Sequence, residues 1–476
     1  MKNTAFKKKL HACGPKPADG SALETQRTHQ KKRKEPCDPR ALERGVRQLL
    51  ADKVSGTLVG LWLLIPEYLR LGIYDLLCGW CGASPDRVEP RLGLQLVNEA
   101  ALCVTGMRQA RSLTQRGFEA ACGLPFVATD QAIHELLAQQ TIGQTQDLQV
   151  ALGRIRQASG HFQGRVLAID PHRMRSYSKR QMRRFQTKQN PTAQKYAQTF
   201  FCLDADTGQP VAFTTATASR TAAQAAMELL DLTAQILHAS SQRLLVLADT
   251  EHISAELFDH VLEKTPFDLL APMPRQRGVY ERIARIPPQQ FTPQWAGYAT
   301  LSRPYTFING QNPLHQLLQR QGEPPADCSF KAFIATSQRN ELDALTRDYP
   351  ARWHIEEFFN QNQELGWQRA GTQNLNIRYA QMTAALMAQA AIHQLRQRLG
   401  APYRDWEAAH LARNLFAGLD GDLRVDHDTI VVTYYNAPNP ESLRTHYEHL
   451  PTKLRRQNIN HNIPWLYDFK LDFRFR

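Results

Sequence analysis

A chain of 476 residues is longer than one ordinary domain, and 42% hydrophobic residues suffice to build cores, which excludes wholesale disorder. The formal charge of +13 and a pI near 9.4 point to an anionic partner, with nucleic acid first among these. Eight scattered cysteines form no disulfide framework, and the apolar run Leu58–Ile65 is broken by Pro66 and Glu67, far short of the ~20 residues of a membrane span. No apolar signal segment follows the basic N-terminus, so a cytoplasmic protein without a membrane partner is expected.

The charge is concentrated. Residues 1–40 carry eleven Lys/Arg against four acids, and residues 171–195 carry eight Lys/Arg and no acid, leaving the rest of the chain slightly negative. The first segment, polar and punctuated by Pro15, Pro17, Pro36 and Pro39, reads as a disordered basic arm, either a solubilising tail or a contact for phosphates. From 41 to 160 the pattern is helical, with Leu42, Val46, Leu49 and Leu50 at helical spacing. Within it, Phe118–Gly123, a turn through Pro125 and a helix Gln131–Gln140 capped by Thr129 and Asp130 read as a helix-turn-helix or as an ordinary bundle pair. Cys78 and Cys81 form a CxxC, but no second pair completes a zinc site.

At Arg165 the texture becomes α/β. Val166–Ile169 is a buried strand ending at Asp170; Phe200–Leu203 and Val211–Thr214 flank a turn as a hairpin. A helix, Ala222–His238, precedes a second buried strand, Arg243–Ala248, which ends at Asp249, and a further helix and strand follow at Ser254–Lys264 and Asp268–Ala271. Residues 272–330 carry nine prolines and short β-like runs such as Tyr305–Ile308, and so read as an inserted, largely β segment. A strand at Phe330–Ala335 then leads to helices at Asn340–Arg347, Ala351–Leu365 and Arg378–Leu399, the last expected to cover the sheet. The C-terminal segment, 421–476, includes a strand at Thr429–Tyr434 and an aromatic, basic tail. The expected organisation is therefore an arm (1–40), a helical DNA-binding domain (41–160), an α/β domain (161–420) with its insertion, and the C-terminal segment.

A carboxylate after an apolar strand is often inert, and neither Asp170 nor Asp249 is decisive alone. The helix beginning near Tyr349 adds a third acid. Steps of three and four place Tyr349, Arg352, Glu356, Asn360 and Gln363 on one polar face, while Ile355, Phe358 and Phe359 form an apolar one. Arg352 and Glu356 by themselves read as a surface ion pair; with two strand-end aspartates upstream they read as a metal site. His172 and His354 flank the proposed ligands and are assigned no role. Arg173, Arg175, Lys179, Arg180, Arg183 and Arg184 follow Asp170 with Tyr177 and Phe185 among them, a run suited to tracking phosphates or simply to lying solvated on the surface.

At these residues the chain resembles the insertion-sequence transposases of the DDE, retroviral-integrase-like superfamily. One large group of these carries its third acid in a signature of Tyr, two residues, Arg, three residues, Glu, six residues, Lys. Tyr349, Arg352 and Glu356 match that spacing, and Gln363 stands where the group has Lys, removing a cation able to hold a phosphate. The resemblance covers roughly 120–420. It implies an RNase H-like mixed sheet flanked by helices, with Asp170, Asp249 and Glu356 as both catalytic residues and metal ligands. Arg352 would contact DNA phosphate near the cut, and Tyr349 would position the transposon end. Glu357 falls off the signature spacing. The implied cofactor is a pair of Mg²⁺ ions, with Mn²⁺ able to substitute, held by carboxylates with water and phosphate oxygens. The implied partners are double-stranded DNA, both transposon ends and target, and a second copy of the chain in a synaptic dimer. Water would be the nucleophile for cutting and the freed 3′-OH the nucleophile for joining.

Rival readings are a nuclease on the same fold, a catalytically degenerate or domesticated DNA-binding protein, and a transcription regulator using the N-terminal helices. Walker A, HExxH and GxSxG signatures are absent from the sequence.

Overall fold

Asp38 and Pro39 start the first helix, α1 (Pro39–Ala51): the Asp38 carboxylate accepts from the Arg40 amide, and proline sits where its missing N–H leaves nothing unpaired. The computed structural model describes residues 38–56, 58–104, 115–176, 184–187, 190–216, 220–237, 243–324, 328–362, 365, 372 and 374–476. The basic arm lies outside the described residues up to position 37. Leu42, Val46 and Leu50 of α1 are buried, as their spacing requires.

After the short strand β1 (Val54–Gly56) come helices α2 (Ile73–Cys81), α3 (Val88–Ala101), α4 (Asp130–Gln139) and α5 (Ile142–Ala158). Thr129 caps α4 through its side chain, and Thr141 with Gln144 makes a reciprocal capping box on α5. The α/β region follows: β2 (Val166–Arg175), β3 (Arg184–Thr187), β4 (Asn190–Asp204), β5 (Gln209–Ala216), α6 (Ala222–Ile236), β6 (Leu244–Leu247), α7 (Ala255–Lys264) and β7 (Phe267–Pro272). Then come β8 (Thr292–Trp295), β9 (Tyr298–Tyr305), β10 (Leu314–Gln321), β11 (Ser329–Ala335), α8 (His354–Asn362) and the long helix α9 (Leu375–Leu399). The C-terminal segment supplies β12 (Gly421–Asp426), β13 (Thr429–Tyr434) and β14 (Lys470–Phe475), with helices at Pro440–Tyr447 and Leu450–Arg456.

Among the described residues, ten strands form one mixed sheet in the order β3-β4-β2-β6-β7-β11-β10-β9-β8, with β5 also on β4. β5, β4 and β2 run antiparallel to their neighbours, and β2, β6 and β7 run parallel. Parallel neighbours need crossovers, which α6 and α7 help supply. β6, whose Leu-Leu-Val-Leu is apolar throughout, is central and nearly wholly buried. Helices α6 and α7 share one core with β2, β6 and β7. The segment expected as an insertion is not set apart: β8 to β11 extend the same sheet by antiparallel pairing onto β7. It also holds a helix, Arg277–Ala284, that its prolines concealed.

Three further differences have physical reasons. The region expected to be all helical contains β1, which pairs Val54 with Leu423 of β12 in a second, four-stranded sheet, β1-β12-β13-β14, a partnership no local pattern announces. β2 does not stop at Asp170 but continues to Arg175, because β4 pairs with it as far as Tyr196. The stretch leading to Glu356 is not one helix: a wide turn (Ala344–Asp348) gives way to tight turns (Tyr349–Trp353) before α8 begins, since Pro350 lacks the N–H that a continuous helix needs. Helix α9, buried along most of its length, packs with the N-terminal helices and the C-terminal segment in one core, and touches β5 of the large sheet. The described chain forms one compact unit. Among the described residues, no helix is long and apolar enough to cross a membrane.

Candidate active site

The parallel pairing of β2 with β6 sets Ala168 opposite Leu247. Two residues further along each strand lie Asp170 and Asp249, so strand register alone brings the first two acids side by side. Asp249 follows β6 at its C-terminal end and caps the short helix Thr250–His252: its Oδ1 accepts from the Glu251 amide at 2.9 Å and pairs with His252 Nδ1 at 2.7 Å. His252 is itself buried.

The third acid arrives on α8. Ile355 and Phe358 are buried, and Phe358 and Phe359 pack their rings on Phe201 of β4, with centroids 5.8 and 5.5 Å apart. This apolar face docks the helix over β2 and turns Glu356 toward the aspartates, while Glu357 is exposed. Arg352 joins the acids: its Nη2 donates to Glu356 Oε1 at 2.9 Å, and its Nη1 lies 3.7 Å from Asp170 Oδ1. It also hydrogen-bonds the Tyr349 hydroxyl, and the Tyr349 ring stands edge-on to Phe333 at 4.9 Å. The structure thus gathers Asp170, Asp249, Tyr349, Arg352 and Glu356 in one place.

The electrostatics show strain in the charge balance. Burial, then the neighbouring Asp249 carboxylate and Glu356, push Asp170 up to about 7 against the pull of Arg352 and His252. Burial also acts to raise Asp249, but the hydrogen bond and charge of His252, the Glu251 amide and Arg352 outweigh it, and Asp249 lies below its ordinary value. Arg352 is raised: burial opposes this, and Asp170, Tyr349 and Glu356 overcome it. Burial raises the Tyr349 phenol despite the adjacent Arg352. Three partly buried carboxylates have one guanidinium among them, an excess of negative charge that suits a hard divalent cation with oxygen ligands. Among the described residues, no three His, Cys, Asp or Glu side chains stand close enough together to hold a metal ion as they are, and Arg352 bridges two of the three acids.

The basic run after Asp170 is described only in part. Arg173 bonds Gln198 at 3.1 Å and makes a two-pronged ion pair with Glu251, one arm of it 3.0 Å. Arg175 pairs with Gln194, and Arg184 is exposed on β3. Lys179, Arg180, Arg183 and Gln363 lie outside the described residues, as does Tyr177.

His252 and Glu251 were not singled out from the sequence, because a His three residues after an Asp in a turn has no distinguishing pattern. His172 shares the Asp170 side of β2 by the two-residue period; its ring packs on Phe359 at 4.9 Å, and burial, with Arg378 adding, lowers it to about 4. His354 pairs with the Ala205 carbonyl at 2.7 Å. Burial pushes the Cys78 and Cys81 thiols up to about 11 and about 12, which disfavours the thiolates a metal would need.

Residues 161–390 match the family profile described as the transposase DDE domain, a span that contains Asp170, Asp249 and Glu356. No curated protein matches the chain. Among solved structures, the chain is similar to a piggyBac transposase in a synaptic complex with hairpin DNA, at 11% identity over 77% of this chain and 82% of that one, with a TM-score of 0.38.

Proposed function

We propose that the chain is a DNA transposase that cuts transposon ends and joins the freed 3′-OH to target DNA. The observation that carries this reading is the meeting of Asp170 and Asp249, on adjacent parallel strands, with Glu356 on α8, inside the span that matches the DDE domain. The strand order also favours an RNase H-like core, with β5, β4 and β2 antiparallel and then β6 and β7 parallel, backed by α8.

Asp170, Asp249 and Glu356 would hold the divalent ions, Mg²⁺ or Mn²⁺. Bound there, a pair of ions supplies activation of the attacking oxygen and neutralisation of the leaving one. The chain's own residues do the rest. His252 fixes the rotamer of Asp249 and keeps that carboxylate ionised. Tyr349 steadies Arg352, whose planar fork suits a DNA phosphate beside the acids. Arg173, Arg175 and Arg184, on the long β2–β4 hairpin and its partner β3, line an approach for the backbone, with Lys179, Arg180 and Arg183 near them in sequence, and Gln363 follows Glu356 by seven residues. The helices of 41–160 supply further DNA contacts, and a homodimer holds two ends together.

A second reading, a catalytically silent DNA-binding descendant, is favoured by one observation, the Gln363 that replaces the lysine of the signature. The test is to incubate purified protein, wild type and Glu356→Gln, with Mg²⁺ or Mn²⁺ and labelled DNA carrying the element's ends. Metal-dependent nicking and joining, lost in Glu356→Gln while DNA binding persists, is the expected result. Binding without cleavage by wild type would replace the transposase with the silent descendant.

A further inference from the structure

Arg352 occupies an unusual place for a residue that greets DNA. Its guanidinium spans Asp170 and Glu356, at 3.7 and 2.9 Å, and is tied to the Tyr349 hydroxyl; its side chain is only 16% exposed. In that position it puts positive charge where three acids lack it. Among the described residues no other arginine or lysine pairs with these acids: His252 is the partner of Asp249, and Arg173 is taken by Glu251.

A guanidinium and a divalent ion make conflicting demands on the same oxygens. The fork holds a carboxylate at hydrogen-bond distance, whereas Mg²⁺ draws its oxygens to about 2.1 Å. Arg352 occupies one oxygen of Glu356 and sets a positive charge 3.7 Å from Asp170, so an arriving cation is repelled at both acids until the guanidinium withdraws. A phosphate is the natural destination, since a guanidinium can give it a two-pronged bond matched in shape and charge. The residue is placed to move: it lies on the tight turns Tyr349–Trp353, just before α8, beside Trp353, which is 59% exposed.

We infer, resting on the reading of Asp170, Asp249 and Glu356 as the metal site, that Arg352 is the resting counter-ion of that site. It holds Asp170 and Glu356 until a DNA phosphate takes its guanidinium, so that DNA binding and divalent-ion binding strengthen each other. Linkage makes the coupling reciprocal: whatever factor DNA adds to ion affinity, the ion adds to DNA affinity.

The experiment measures Mn²⁺ binding to the full chain, without DNA, by the paramagnetic resonance signal of free Mn²⁺. Arg352→Gln should bind Mn²⁺ about tenfold more tightly than wild type, the size of one site-to-site coupling. Arg352→Lys, which keeps the charge, should stay within about twofold of wild type. Duplex affinity, followed by fluorescence anisotropy, should rise on adding Mn²⁺ in wild type and rise less in Arg352→Gln. Mn²⁺ binding that Asp249→Asn abolishes but Arg352→Gln leaves no tighter overturns the counter-ion role alone. So does Arg352→Lys matching Arg352→Gln. Mn²⁺ binding indifferent to Asp249→Asn overturns this inference together with the metal-site reading beneath it.

Discussion

The two ends of the parallel strands each gather carboxylates and arginines, and they balance them in opposite ways. At the N-terminal ends, Asp268 of β7 receives Arg243 Nε at 3.1 Å, Arg339 Nη2 at 3.0 Å, the Ser337 hydroxyl at 2.7 Å and the Thr336 hydroxyl at 3.4 Å. One buried acid has four donors, two of them cationic. On the opposite side, Arg352 bridges Asp170 and Glu356, and Asp249 beside them has His252. Composition does not separate these clusters, since both set Asp beside Arg on or next to the parallel strands. Satisfaction does: an acid with a surplus of donors is a fastening, whereas acids with a deficit are held ready for charge that arrives from outside.

The strongest way to break that contrast is Asp249→Asn. Losing one carboxylate of the deficient cluster should lower metal-dependent cleavage roughly a thousandfold while the melting curve stays put, because, if these acids hold the ions, several kcal/mol of charge stabilisation go with it. Unimpaired cleavage would mean that the deficit is not catalytic. The matching change at the other end, Asp268→Ala, should act on stability instead. It leaves two arginines, both partly solvated, without their acid, and a urea titration should show a loss of about 2 kcal/mol with cleavage per folded molecule unchanged.

A third cluster sharpens the rule. Arg156 is fully buried with no acid beside it among the described residues; it donates to the Pro210 carbonyl at 2.6 Å and to Gln389 at 3.3 Å, and sits near His161 and His393. Burial, with Arg156 adding, lowers His161 to about 2 and His393 to about 3. The folded chain therefore refuses protons that the unfolded chain accepts below its ordinary value near 6.5. Stability is full above that pH and falls as pH drops toward 3, about 2 kcal/mol per histidine by pH 5. Melting curves at pH 7 and 5 should show the drop, and His393→Gln should roughly halve it. Smallest of all, Glu357→Gln should change cleavage less than about twofold, because that side chain points to solvent; a large loss would reassign the third acid.

Much of the α/β half is legible locally. β13 falls where its apolar residues place it, and β6 reads as a buried run because both its faces are covered. The acids are visible for the same reason: Asp170 and Asp249 interrupt or end runs that sterics and burial make conspicuous. What stays hidden depends on distant partners. β1 is too short to declare itself and exists because Leu423 and its neighbours pair with it. The continuation of β2 past Asp170 is fixed by β4, and the break before α8 comes from one proline whose effect a face-counting argument passes over. His252 and the bridging posture of Arg352 are products of tertiary packing, which no spacing encodes.

The interleaving of the two chain ends has a consequence for synthesis. Tyr434 donates to the Val59 carbonyl and Tyr447 to that of Leu63, partners 375 and 384 residues apart, and Trp465 donates to Ala121. At ~10 residues per second, the first helices would leave the ribosome about half a minute before the strands that finish their core. During that interval their apolar faces are open to whatever lies nearby, so the core closes only once Tyr434, Tyr447 and Trp465 have emerged, and termination before them yields sticky fragments.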